Sequence, residues 1–264
     1  MKVGVVFKGE NEKAKDLASK IIELLKQKGC EVLDEGNLEG SQYVISLGGD
    51  GTLIHEACAH PSLDIPFIGI NTGNLGFLTA VESDDWEKAV DMVMAGEVVV
   101  SDRITLECET SSKKGVFRAV NEFAIKSQFR VVDLDIKVNG GELLKVYGDG
   151  VIIATQSGST AYSLSAGGPI VDPGLDCLLV TPINPIGLPI PSVLLSPDME
   201  VEVKVTKGED VSLVIDGQDN FGLKKGDIIT IKRALKRVKF GYFDKEHFLK
   251  SLNAKFGLSG RRIS

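Results

Sequence analysis

Long hydrophobic runs are missing from this chain, and so is any close spacing of cysteines. No uninterrupted apolar segment approaches the roughly 18 to 20 residues that a membrane helix needs. The opening MKVGVVFKGE turns polar too soon for a signal peptide, so a cytoplasmic protein without a membrane partner is expected. Cys30, Cys58, Cys108 and Cys177 stand far apart without CxxC spacing, which excludes the usual zinc frameworks; among apolar neighbours they read as buried free thiols. Basic charge is also short. Thirty Lys and Arg face 37 Asp and Glu for a net charge of −7, which argues against a general nucleic-acid surface, since backbone binding needs clustered cations. Low-complexity segments are absent too, so no large part is expected to be disordered. With 43% apolar and 25% charged residues over 264 positions, the chain is globular and long enough for two domains.

What the chain does have is glycine, 29 residues gathered around 48–51, 69–76, 148–150 and 167–168. The most informative stretch is Tyr43 to Ile54, YVISLGGDGTLI. A β-type run breaks into Gly48, Gly49, Asp50, Gly51 and Thr52 before a helical pattern resumes at Leu53. Glycines there let a ligand approach the backbone, and the start of a helix offers N–H groups suited to phosphate. Asp50 is at odds with that purpose. A carboxylate beside phosphates costs electrostatic energy unless it takes a proton or orients a metal. The plainer reading is a strand-to-helix turn with Asp50 near the helix cap.

Read in order, Lys2–Phe7 is a strand and residues 12–28 a helix closed by Gly29. Residues 30–33, 43–47 and 65–70 are further strands, with helices over 53–59 and about 84–94, the second ended by Gly96. Strands alternating with helices predict a parallel, Rossmann-like sheet. Ligands bind outside the carboxyl ends of such strands, where GGDGT and NTGNLGFL (71–78) both fall. From Val98 to Phe243 short runs such as LDIKV, VIIAT and VEVKV alternate with turns, which predicts an all-β sandwich. The small, hydroxyl-rich stretch 154–169 interrupts it as a loop and short helix, with Ser159 or Thr160 able to cap. A terminal helix around Phe248, Leu249 and Leu252 and a solvated tail with Arg261 and Arg262 complete an expected division into 1–97, 98–243 and 244–264.

GGDGT (48–52), NTGNLGFL (71–78), NE (121–122), GDG (148–150), SGSTAYSLSAGGP (157–169) and DGQ (216–218) occur in the order and spacing of the NAD kinases. The resemblance spans nearly the whole chain. It implies transfer of the terminal phosphate of ATP, or of polyphosphate, to the 2′-hydroxyl of the adenosine ribose of NAD, giving NADP with magnesium or another divalent cation. It also implies an α/β N-terminal donor domain, a β-sandwich dinucleotide domain and a homodimer or homotetramer. By position Asp50 resembles the family's essential carboxylate, Gly51 belongs to the phosphate turn, and His55 stands where relatives often place a basic residue. Asn121 and Glu122 resemble the pair that holds the adenosine portion. Arg130, Tyr147, Asp149, Thr160, Ala161, Tyr162, Ser163, Leu164, Ser165 and Asn184 fall with the dinucleotide pocket. In DGQ, Asp216 and Gly217 read as an ordinary hairpin turn, while Gln218 matches the family's glutamine.

Three positions depart from the family. Gln156 replaces a proline that would stiffen its loop. The stretch NPIGLPIPSV lacks the histidine and arginine of many relatives, leaving Asn184 with a backbone carbonyl to offer. Tyr147 stands where relatives carry arginine or glycine, which leaves the choice between NAD and NADH open. A lipid kinase would share GGDGT, but nothing here offers an apolar entry surface. A non-catalytic NAD(H)-binding regulator would have no use for Asp50.

Overall fold

The computed structural model of the chain describes residues 1–8, 11–34, 36–60, 63–73 and 76–257. Asn74, Leu75, Arg261 and Arg262 lie outside the described residues. Two compact units form, residues 1–102 with 238–264, and residues 103–237.

The first unit begins with β1 (Lys2–Phe7), α1 (Glu12–Gln27), β2 (Glu31–Leu33), β3 (Tyr43–Gly48), α2 (Asp50–Ala59), β4 (Pro66–Asn71), β5 (Val81–Glu82), α3 (Trp86–Ala95) and β6 (Val99–Arg103). β1 pairs in parallel with β2 and β3, and β4 with β3 and β5. The sheet is therefore covered on both faces, which is why β3 and β4 read as near-continuous apolar runs. On one face Leu17, Ala18, Ile21 and Leu25 of α1 pack with Ala89, Val90 and Val93 of α3 against Val3, Val5, Ile45, Ile68 and Ile70. On the other, Gly69 of β4 leaves room for Leu53 of α2, within 3.1 Å of where a Cβ would stand. α2 starts at Asp50, three residues before its apolar pattern, so the Asp-Gly-Thr of the glycine turn is already its first turn.

The second unit holds β7 (Leu106–Thr110), β8 (Phe117–Ala119), β9 (Glu122–Ser127), β10 (Val132–Val138), β11 (Gly141–Gly148), β12 (Gly150–Thr155), α4 (Tyr162–Ser165), β13 (Leu178–Ile183), β14 (Val193–Leu195), β15 (Val201–Lys207), β16 (Val211–Ile215), β17 (Asp219–Leu223) and β18 (Ile228–Arg233). They form two six-stranded sheets, β11-β10-β15-β18-β7-β8 and β14-β13-β12-β9-β16-β17, whose strand pairings are antiparallel. Leu134, Ile136, Val203 and Ile231 from one sheet meet Phe123, Ile125, Val151, Ile153 and Leu213 from the other. β10 and β15 alternate buried with part-exposed residues, as one-faced burial requires. β12 and β13 are buried throughout because Tyr162, Ala166, Val171 and Cys177 cover their outer face.

The chain then returns through β19 (Val238–Tyr242) and α5 (His247–Phe256) to the first unit. Chain order placed VKFGY with the β-sandwich, but its hydrogen bonds place it in the first sheet, parallel to β4, giving β2-β1-β3-β4-β19-β6. Strand propensity carries no information about which sheet receives a strand, so pattern alone could not find this return.

Candidate active site

In the first unit the turn after β3 and the loop after β4 are bonded to each other. The Thr72 N–H donates to the Gly48 carbonyl at 3.3 Å. Asn71, wholly buried at the end of β4, donates its amide to both Glu82 oxygens at 3.0 and 2.9 Å and accepts from the Gly73 N–H at 3.0 Å. Asp50 completes the link. Its Oδ2 accepts from the Phe77 N–H at 2.6 Å, and its Oδ1 accepts from Leu78 and Thr79 N–H at 3.0 and 3.1 Å. A Cβ at Gly76 would overlap Asp50 Oδ1, so the loop can close over the carboxylate only with glycine there. Asp50 does not cap the helix; Gly49 occupies that position without a side-chain bond. An ionised carboxylate has about four lone-pair sites, and backbone donors among the described residues take three of them. Those donors also offset the charge that made Asp50 look out of place among phosphates. Gly51 and His55 are exposed, on the first turn of α2 and one turn beyond.

In the second unit Asn121 and Glu122 lie at the start of β9, 8% and 5% exposed. Asn121 Oδ1 and Glu122 Oε2 are buried and have no hydrogen-bond partner among the described residues. Burial, with the nearby Asp216 charge adding to it, pushes the Glu122 carboxyl up to about 8 against a bond from the Tyr162 N–H. Thr160, Ala161 and Tyr162 follow in the loop that ends β12, each partly buried. Lys126, on the same strand as Glu122, carries its ammonium 5.3 Å from the Tyr162 ring centroid. At the other end of β12, Asn184 donates its side-chain amide to Asp149 Oδ2 at 2.8 Å, while the Asp149 N–H donates to the Ile183 carbonyl at 3.0 Å. Tyr147 is exposed, with its carbonyl accepting from the Ile186 N–H at 2.7 Å.

Two family descriptions match the chain, the ATP-NAD kinase N-terminal domain over residues 38–98 and the ATP-NAD kinase C-terminal domain over residues 120–241. The NAD kinase of Syntrophotalea carbinolica is 33% identical, with 98% of this chain and 99% of that protein covered. The chain belongs to the NAD kinase family. Among solved structures, an NAD kinase from Archaeoglobus fulgidus in complex with ATP is 30% identical, with 98% of this chain and 100% of that chain covered and a TM-score of 0.77. The yeast NADH kinase complexed with NADH shares the fold, with a TM-score of 0.88 at 23% identity over 100% of this chain and 90% of that one.

Several positions that the NAD kinase resemblance singles out take other partners. Arg130 pairs with Glu209 at 3.4 Å, both exposed. Ser163 is fully buried and shares a 2.9 Å hydrogen bond with Thr181, so its hydroxyl belongs to the packing under α4. Thr160 Oγ1 donates to the Ser157 carbonyl at 3.3 Å. Leu164 is partly buried, Ser165 exposed, and Gln218 exposed in the β16–β17 turn. The hydroxyl-rich loop forms its short helix as expected, but with Ala161 at the cap and no side-chain cap bond. Gln156 donates to Asp176 Oδ1 at 3.2 Å, joining the two bonds from Arg237 at 2.7 and 2.9 Å; the amide thus anchors its loop. Arg237 holds the Asp176 carboxyl below its ordinary range. Sequence reasoning did not single out Lys126, and it took Asp216 for turn chemistry. For Asp216 a signal was present, because an aspartate directly after a buried β run is well placed to reach neighbouring backbone.

Proposed function

We propose that this chain transfers the terminal phosphate of ATP to the 2′-hydroxyl of the adenosine ribose of NAD, forming NADP. The observation that carries the assignment of the site is the pair of orphaned buried atoms, Asn121 Oδ1 and Glu122 Oε2. An unsatisfied buried polar group costs about 1–3 kcal/mol. Ribose hydroxyls and the amino edge of adenine supply what these two atoms lack. Tyr162 offers a ring face to the dinucleotide, and small Ala161 beside it lets a ligand come close. Asp149, held by Asn184, presents a carboxylate to hydroxyl or amide groups of the same ligand.

Asp50 acts on the phosphoryl side. A ribose hydroxyl is a far weaker acid than a carboxylic acid, so the carboxylate accepts its proton only late, as the bond to phosphorus forms. Oδ2, which accepts a single bond from the described backbone, is where that proton would be received. Most of the acceleration then comes from positioning and charge stabilisation. Among the described residues no group of three or more His, Cys, Asp or Glu gathers to hold a metal. Asp50 is the residue that would hold a magnesium brought in by the nucleotide phosphates. A divalent cation held there would supply neutralisation of charge on the transferring phosphate.

A homodimer or homotetramer belongs to the same proposal. Ile186 and Leu188, 55% and 86% exposed, give the loop after β13 an apolar surface that a second copy would cover. A cytoplasmic location is part of the same proposal, in keeping with substrates that do not cross a membrane unaided. The test is NADP formation from NAD with ATP, other nucleoside triphosphates and polyphosphate at equal magnesium. NADP formation with ATP is expected, and no NADP with any donor would overturn the reading.

A further inference from the structure

The same turn that reads as an ordinary Asp-Gly hairpin in the sequence does something more specific in the fold. Asp216 Oδ2 accepts from the Val120 N–H at 2.8 Å, and Oδ1 accepts from the Asn121 and Glu122 N–H groups at 2.7 and 3.0 Å. In return the Asp216 N–H donates to the Glu122 carbonyl at 3.0 Å. Asp216 holds this pose with φ at +48°, a left-handed conformation that a glycine would adopt with less strain. Glycine would bring no carboxylate. Two of the three residues whose backbone is gathered, Asn121 and Glu122, have side chains that end in buried oxygens with no hydrogen-bond partner among the described residues. We propose that Asp216 is a positioning residue of the dinucleotide site, its carboxylate fixing the Val120–Glu122 backbone so that Asn121 Oδ1 and Glu122 Oε2 face the ligand. This rests on the reading of Asn121 and Glu122 given above.

The clamp has an electrostatic consequence. Asp216 places a negative charge beside a buried carboxyl, and together with burial this keeps Glu122 protonated at neutral pH. A protonated Glu122 donates a hydrogen bond as well as accepting one, so it can meet an acceptor on the ligand that an ionised carboxylate would repel. The groups around Glu122 agree with this assignment. The neighbouring β12 carries no titratable residue from Gly150 to Thr155, α4 contributes the Tyr162 N–H and phenol, and β9 contributes Lys126, whose ammonium lies over the Tyr162 ring. The turn after β16 contributes Asp216.

The decisive measurement is the KM for NAD and for ATP across pH 6 to 9.5 in the wild-type enzyme, Asp216→Asn and Glu122→Gln, with NAD binding by calorimetry and thermal melts beside them. The wild type is expected to lose affinity for NAD as pH rises through about 8, and Glu122→Gln to flatten that loss. Asp216→Asn is expected to raise KM for NAD about tenfold, the worth of one lost hydrogen bond, with KM for ATP unchanged, and to shift the loss of NAD affinity to lower pH, because without the Asp216 charge Glu122 ionises earlier and its midpoint falls. Equal rises in both KM values, or a midpoint unmoved from the wild type, would overturn the proposal. Should Asp216→Asn not fold, Asp216→Glu replaces it: an unchanged KM for NAD there would show that the carboxylate's position is immaterial, while a raised KM with the wild-type midpoint supports the clamp. A wild type that makes no NADP at all would instead sink the function proposed above, so the two failures are distinct.

Discussion

Asp50 carries structure, and in the proposed function it carries chemistry as well. Three backbone N–H groups converge on it, so Asp50→Asn is not a silent removal of charge. Whichever carboxylate oxygen becomes an amide NH₂ then faces a backbone donor. The variant is expected to lose kcat by roughly 10²- to 10⁴-fold, as for a positioned base, and to melt at a lower temperature because the 77–79 loop loosens. Titrating magnesium at saturating NAD and ATP tells the base from the metal role, since excess magnesium restores part of the rate only if Asp50 works through the cation. Near-normal turnover would contradict both. Tyr162 belongs to the other unit and, in the proposed function, to the other substrate. Tyr162→Ala removes the ring beneath the Lys126 ammonium, and KM for NAD is expected to rise more than KM for ATP. A larger rise for ATP would place the ring with the donor.

At the scale of elements, two loops are fixed by side chains that close them rather than by regular structure. Gly76 is the point where the loop after β4 passes over Asp50. Gly76→Ala forces that contact apart and is expected to cost about 1–3 kcal/mol, the range for overpacking, read by urea denaturation, together with most activity. Full stability in that variant would mean that Asp50 has another place to go. The loop between β12 and α4 is tied by Asp176 to Gln156 and Arg237. Because the Asp176 carboxyl is held below its ordinary 3.8, the pair stabilises the fold above that value and the contribution is lost as pH falls through the lowered one. Arg237→Ala should therefore destabilise the protein at pH 7, with the difference from the wild type shrinking as pH falls below 3.8. A constant difference on melts from pH 7 to pH 3 would assign the loss to packing.

For the whole molecule, Glu122 sets a pH dependence of opposite sign. Its carboxyl is raised from 4.5 to about 8 on folding, so the folded chain holds a proton that the unfolded chain has released. Stability from this group is complete below 4.5 and is lost as pH rises through about 8. Glu122→Gln removes that loss, and the variant should gain stability relative to the wild type between pH 5 and pH 9. Melting curves at those two values check it, and an unchanged difference would mean that Glu122 is ionised in the folded state.

Much was legible in the sequence because local pattern and local chemistry agree. The runs at Tyr43–Leu47 and Ile65–Ile70, the helical spacing of Leu17, Ile21 and Leu25, and the alternation of LDIKV and VEVKV give the α/β and all-β architectures directly, since periods of 3.6 and 2 are set by the backbone. The order of GGDGT, NE, GDG, TAYSLSAGGP and DGQ gave the family. What only the tertiary structure decided are relations between residues far apart in the chain. Asp50 meets residues 77–79, Asp216 meets residues 120–122, and β19 returns to β4 across the whole second unit. A carboxylate looks the same in a sequence whether it faces water, a phosphate or three backbone N–H groups. Its partners are chosen by how strands stack into sheets, and that choice is made by burial summed over the entire chain.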